Sequence, residues 1–147
     1  MRQIESDERT TMSALDFDEC LVLLRWETLG RLAVSAHGEA PLVLPVNFVV
    51  RDGDIFFHTG DGTMLDRIRE HPVSFQVDRY DQYRRIGWTV LVRGVAHEVE
   101  RTDADAAGIE IDTWAPGRDR HCVCITPTAI SGRRLELITS ADRRGYL

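Results

Sequence analysis

Gly60-Asp61-Gly62-Thr63 joins the end of an alternating apolar run to the start of a helical one, with threonines at 59 and 63. Exposed glycine amides and free N–H groups at a helix N-terminus, whose dipole is worth about 0.3–1 kcal/mol, make a cradle for a phosphate. Asp61 and Asp66 weigh against that use, since each repels a phosphate unless its carboxylate turns away. The plain alternative is a loop in which Thr63 only caps the helix. Both readings stand at this level.

Pro45-Val46-Asn47-Phe48 lies inside a strand-like run, where proline removes a ladder hydrogen bond and asparagine is disfavoured. An edge strand or an opening in a barrel tolerates both. At an opening, unpaired backbone groups and the Asn47 amide could meet the polar rim of a planar ligand; on a plain edge, Asn47 simply faces solvent. Trp88 and Trp114 are flanked by small or irregular residues, as ring-stacking positions often are, although core packing is the commoner fate of a tryptophan. Cys122 and Cys124 share one strand face while His121 takes the other, and no second ligand pair sits at the usual spacing, so buried thiols are the better reading than a metal site. There is no Gly-x-Gly-x-x-Gly, no Walker loop and no Gly-x-Ser-x-Gly elbow, which removes Rossmann and hydrolase readings.

The elements that must position these residues are mostly strands. Asp16 as N-cap, Glu19 three residues on, Leu15 stapling to Cys20, and Phe17, Cys20, Leu21 and Leu24 at i, i+3, i+4, i+7 predict an amphipathic helix ending near Glu27. The period then becomes two. Strands are expected over 29–36, 42–50, 55–59, 73–78, 87–100, 121–125 and 129–137, with the 42–50 and 55–59 runs hairpinned at Asp52-Gly53. Short helices are expected over 63–71, stopped by Pro72, and over 102–109. Gly94, inside the longest strand, marks a bulge or the bend that closes a barrel. Seven strands with small helices and no βαβ alternation give a mainly β fold, a barrel, spanning 15–138 between a polar tail at 1–14 and a second tail at 139–147.

Composition narrows the partners. The 147 residues suit one domain, and 43% apolar against 29% charged residues exclude a disordered chain. No apolar run approaches the roughly 18 residues of a membrane span, and Met1 to Ser13 lacks the apolar stretch of a secretory signal, so a cytoplasmic protein with no membrane partner is expected. Three cysteines do not make a disulfide framework. A net charge of −6 disfavours nucleic acid. All eighteen basic residues are arginine, so lysine Schiff-base chemistry is ruled out.

Taken in order, Leu29-Gly30-Arg31-Leu32-Ala33, Pro45 to Phe48, Gly62-Thr63-Met64-Leu65-Asp66, Gly87 to Gly94, Trp114-Ala115-Pro116-Gly117 and Ile125-Thr126-Pro127 resemble the pyridoxamine 5′-phosphate oxidase-like flavoproteins of actinobacterial type, over about Asp16 to Arg134. The resemblance implies an FMN-binding split β-barrel that forms a homodimer, with cofactor sites at the interface lined by both chains. It places Pro45, Val46, Asn47 and Phe48 along the isoalloxazine ring. Thr59, Gly62 and Thr63 fall at the phosphate, Trp88 and Val90 near the site, and Trp114 could come from the partner chain. Relatives commonly carry lysine where this chain has Met64, so a charge-assisted phosphate contact is missing unless Arg67, one turn on, replaces it.

The function so implied is an FMN-dependent oxidoreductase acting on a small-molecule substrate, in which the cofactor carries the redox chemistry and no catalytic triad is needed. One alternative is a reductase using the deazaflavin F420, whose acidic tail wants a basic groove from Arg31, Arg67 and Arg93. Another is a flavin carrier or sensor without turnover. Oxidation of pyridoxamine phosphate itself would need a second phosphate-binding cluster, for which the sequence offers no candidate.

Overall fold

A computed structural model describes residues 9–60, 62–114 and 120–138. The elements in order are β1 (Arg9–Leu15), α1 (Phe17–Arg25), β2 (Leu29–Val34), β3 (Leu42–Arg51), β4 (Asp54–Thr59), α2 (Gly62–Ile68), β5 (Pro72–Asp81), β6 (Ile86–Val99), α3 (Arg101–Ala106) and β7 (His121–Ile138). The β3–β4 hairpin turns on Asp52 and Gly53, both at positive φ (52° and 82°), the pair of angles a two-residue hairpin requires.

The strands close into a six-stranded antiparallel barrel, β2–β3–β4–β7–β6–β5 and back to β2, with β1 added to β7 as a seventh strand. β7 is the hinge of this arrangement. Its first residues, His121 to Ile125, pair with β4, its last, Gly132 to Ile138, pair with β1, and β6 runs along the other edge from Cys122 to Leu135. The β6–β7 register shifts once, since Arg93 faces Ala129 while Gly94 faces Pro127. Thr128 is therefore the extra residue, and its hydroxyl donates to the Arg93 carbonyl at 3.1 Å. A Cβ on Gly94 would overlap the Thr126 carbonyl oxygen and lie 2.9 Å from its carbon, so glycine is required there.

Phe57, Phe75, Leu24, Leu32, Ile55, Ile68, Val90, Val92, Val123 and Ile125 fill the barrel, with Phe48 set edge-on to Phe75 at 4.9 Å and 72°. Burial of each such side chain contributes roughly 1.5–3 kcal/mol. α1 caps the barrel against β7 and β3. Its Asp16 accepts from the Glu19 amide at 2.8 Å, and Leu15 and Cys20 close over Gly132, where a Cβ would meet the Cys20 sulfur at 2.6 Å. A second, smaller apolar cluster of Ala104, Ile109 and Cys122, with Val49, Phe56, Val99 and Ile111, lies under α3 on the barrel's outer wall.

Several expectations need correction. Residues 9–14, expected as part of a polar tail, form β1 together with Leu15, because their partner is the distant end of β7 and not a local turn. The two strands expected at 121–125 and 129–137 are one strand of 18 residues, carried through Pro127 by the bulge. The observed seven strands are thus not the seven expected. Phe17, expected on the buried face of α1, is 57% exposed at the helix's first position. α2 stops at Ile68 because Glu70 takes a positive φ of 58° and bonds to Ala96, its amide donating to the Ala96 carbonyl at 2.7 Å. α3 ends at Ala106, three residues short of the expected Ile109. The tail expected at 139–147, the first eight residues, Asp61 and the Ala115–Gly117 part of the Trp114 motif lie outside the described residues.

Candidate functional site

The far end of β4 is where most of the sequence-selected residues gather. The β3–β4 ladder runs from Arg51 opposite Asp54 to Phe48 opposite Phe57 and stops there, so His58 and Thr59 continue β4 beyond it. β3 pairs with β2 only through Asn47 and with β4 only from Phe48 onward. Residues 42–47 thus have a described partner on one edge alone, an opening that tolerates Pro45. Pro45 is exposed, Val46 packs on the core, and Phe48 is buried.

Asn47 does not offer its amide to a ligand. Its Nδ2 donates to the Thr28 carbonyl at 3.1 Å, and its Oδ1 accepts from the Trp114 amide at 2.9 Å. Two further clips hold the same crossing segment. His58 Nδ1 lies 3.0 Å from the Thr113 hydroxyl, and Arg51 donates to the Gly108 carbonyl at 3.2 Å. The chain from 108 to 114 is thereby laid over the outside of β3 and β4, and the Trp114 indole is left 62% exposed beside the strand end.

Thr59 ends β4 with 8% exposure, and Gly62 opens α2 with nothing beyond its chain neighbours and its own helix backbone within 4 Å of the place a Cβ would occupy. Thr63 and Arg67 are exposed, while Met64 is half-buried against the core. These five residues follow one another along the end of β4 and the start of α2, and the His58–Thr113 contact brings the segment ending in Trp114 to the same strand end.

Trp88 and Val90 do not join it. Val90 is wholly buried, and Trp88 sits half-buried at the opposite end of β6, beside Arg79 and Arg134. The row through Thr59 crosses His121 and reaches β6 only near Val99, some ten residues or roughly 30 Å of strand from Trp88. Trp88 instead lines a separate hollow of about 390 Å³ with Tyr80, Ile86 and Leu135. Of the arginines expected to form one basic groove, Arg31 is tied to Asp78 at 3.3 Å, Arg93 lies across β5 from β2, and Arg67 is on α2.

Sequence reasoning missed the charged groups around this corner. Burial pushes the His58 imidazole below its usual range, with Arg120 and then Arg101 adding to the effect. Glu98 accepts from Arg69 at 2.7 Å and lies 3.1 Å from His121. These residues come from separate stretches of the chain, near positions 58, 69, 98–101 and 120–121, and the register of β4, β7 and β6 brings the strand residues together. Cys122 and Cys124 face outward from the barrel, each 7% exposed. Burial raises both thiols, Cys124 to about 11 with a smaller contribution from Asp54. Among the described residues no three His, Cys, Asp or Glu side chains gather as a metal site.

The end of β4 thus brings together a buried threonine, a glycine-led helix start and, through the His58–Thr113 contact, the segment that ends in an exposed tryptophan. The family model described as pyridoxamine 5′-phosphate oxidase matches residues 16–134, and the chain belongs to that family. It is similar to the FAD binding protein from Mycobacterium smegmatis, with TM-score 0.71 and 32% identity over 84% of this chain and 98% of that one. It is also similar to an FAD-binding protein from Mesorhizobium loti, with TM-score 0.69 and 25% identity over 84% and 97% of the two chains. An uncharacterized protein of Mycobacterium tuberculosis is 30% identical over 128 residues, 82% of this chain and 84% of its own length. No helix among the described residues is long and apolar enough to cross a membrane.

Proposed function

We propose that this protein is a flavin-dependent oxidoreductase of the cytoplasm that works as a homodimer on a small organic substrate. The observation that carries the reading is the end of β4, where Thr59 leads into Gly62 and Thr63 and the His58–Thr113 contact brings up the segment that ends in Trp114. The residues fit the ligand. The space around Gly62 admits a phosphate, and Trp114 exposes an indole face against which a flat ring stacks. Bound flavin supplies electron and hydride transfer. The chain's own part is placement: Thr59 and Thr63 sit where hydroxyls meet a phosphate, Asn47 fixes Trp114, and Phe48 backs the site from the core.

The separation of Trp88 from this corner supports a site completed by a second copy. The outer faces of β3, β2, β5 and β6 carry a row of Pro45, Arg31, Gln76 and Leu91 beside a row of Val43, Ala33, Ser74 and Arg93. Val43 is 55% and Leu91 37% exposed, apolar surface suited to a symmetric partner. FAD is the cofactor named for two similar solved proteins.

The test is mass spectrometry of the ligand released when the purified protein is denatured, with light scattering for its mass in solution. A flavin at about one per chain in a dimer is expected. The reading fails if no ligand is released and added FMN, FAD and F420 all fail to bind.

A further inference from the structure

Where β2 ends, the outer wall of the barrel carries a hollow of about 580 Å³ that crosses β5, β6 and the bulge in β7. That volume lies within the roughly 300–1,000 Å³ of small-molecule sites. The register sets its floor. Ala33 faces Ser74, Ser74 faces Arg93 and Arg93 faces Ala129, so the four side chains form one outward row. Pro41, Pro72 and Ser35 border the row. Arg93 is exposed, and its guanidinium makes no ion pair or hydrogen bond among the described residues. The hydroxyls of Ser35 and Ser74 are equally free among them, whereas that of Thr128 is taken by the Arg93 carbonyl at 3.1 Å. Charge sets this hollow apart. The chain carries a net charge of −6, yet no carboxylate lines the wall around Arg93. The carboxylates met along β6 to either side are held elsewhere: Asp78, opposite Thr89, by Arg31 at 3.3 Å, and Glu70 by His97 at 3.0 Å. A guanidinium without a counter-charge, beside free hydroxyls in a concave wall of proline and alanine, suits an oxyanion on an apolar body.

We propose that this hollow binds a small organic carboxylate. The Arg93 fork meets the planar carboxylate through two parallel N–H···O bonds, Ser74 beside it adds a hydroxyl, and Ala33, Pro41, Pro72 and Ala129 pack the apolar body. The site is separate from the end of β4. The row through Thr59 reaches β6 only near Val99, six residues or roughly 20 Å of strand from Arg93. It therefore stands whether or not a flavin binds.

The experiment titrates benzoate into the full-length protein and its Arg93→Gln variant, followed by NMR of the backbone amides and the arginine Nε–H groups. Benzamide serves as the uncharged counterpart of benzoate, and inorganic phosphate as an oxyanion without an apolar body. Arg93 also stands in the row offered to a second copy, so light scattering checks that R93Q keeps the parent's mass; the parent's own shifts locate the ligand without any variant. Benzoate is expected to move the Ser74, Arg93 and Ala129 signals to saturation. R93Q should weaken it roughly tenfold, the weight of one charge-assisted contact, and benzamide should bind the parent at least as much more weakly. Benzoate that leaves these signals unmoved, or binds R93Q as tightly as the parent, overturns the site. Phosphate that matches benzoate at the same residues overturns the choice of a carboxylate on an apolar body.

Discussion

Asn47→Ala removes both arms of the clip that sets Trp114 against β3. Each lost hydrogen bond costs about 0.5–1.5 kcal/mol net, and the exposure of this corner to water puts both in the lower half of that range. The two arms can be read separately. The Trp114 amide is held by Asn47 Oδ1, so losing about 1 kcal/mol of local protection should speed its hydrogen exchange roughly fivefold. Asn47→Asp keeps the acceptor for Trp114 but turns a carboxylate oxygen toward the Thr28 carbonyl. It should lower the thermal midpoint while leaving Trp114 protected. Amide exchange followed by NMR on both variants tests this. An unchanged Trp114 rate in N47A, or equal rates in the two variants, would refute the idea that Asn47 positions the indole, and with it the account of how the corner is assembled.

Gly94→Ala drives a methyl into the Thr126 carbonyl, a backbone atom that cannot swing aside. A cost near the upper end of about 1–3 kcal/mol should lower the thermal midpoint by roughly 6–12 °C. A calorimetric midpoint within a degree or two of the parent would mean that β6 and β7 do not need this close approach. Met64→Lys places an ammonium at the helix start. It should tighten FMN roughly tenfold or more, at the weight of about 1.5–3 kcal/mol for a charge-assisted bond, and an unchanged affinity by fluorescence titration would remove the phosphate from this corner. His58 has its folded-state affinity for a proton lowered from 6.5, so the unfolded chain binds the proton better. The neutral form's contribution is whole above about 6.5 and fades as pH falls below it. His58→Gln should therefore lose less thermal stability than the parent between about pH 7.5 and 5.5, and parallel curves would count against that assignment. The raised Cys122 and Cys124 thiols should resist alkylation at about pH 8 until denaturant is added, and rapid labelling of the native protein would contradict their burial.

The barrel was legible where side chains alternate. Val73, Phe75 and Val77, or Val90 and Val92, announce their strands because one face is core and the other is not. β1 was not legible, since Arg-Thr-Thr-Met-Ser has no apolar alternation and becomes a strand only through its pairing with β7. Pro127 read as a break because the bulge that accommodates it depends on Gly94, some thirty residues earlier. Thr59 to Arg67 were legible as a strand end leading into a helix, because that turn is local. Asn47 was singled out correctly as unusual for a strand, yet its bonds run to Thr28 and Trp114, contacts no local pattern encodes. The hollow around Arg93 left no trace in the sequence, because four strands must meet before it exists.

β7 also dictates an order of events. It supplies the neighbour that β1, β4 and β6 each require, and its pairing of Ile138 with Arg9 joins nearly the two ends of the described chain. A barrel that waits for β7 cannot seal before residues 121–138 have been synthesised. Until residues 121–138 emerge, three strand edges and the apolar interior stay open, which is a slow, long-range closure exposed to mispairing between nascent chains. A fragment ending before His121 should therefore be recovered as aggregate, and supplying the missing strand as a separate peptide during refolding should restore a soluble barrel.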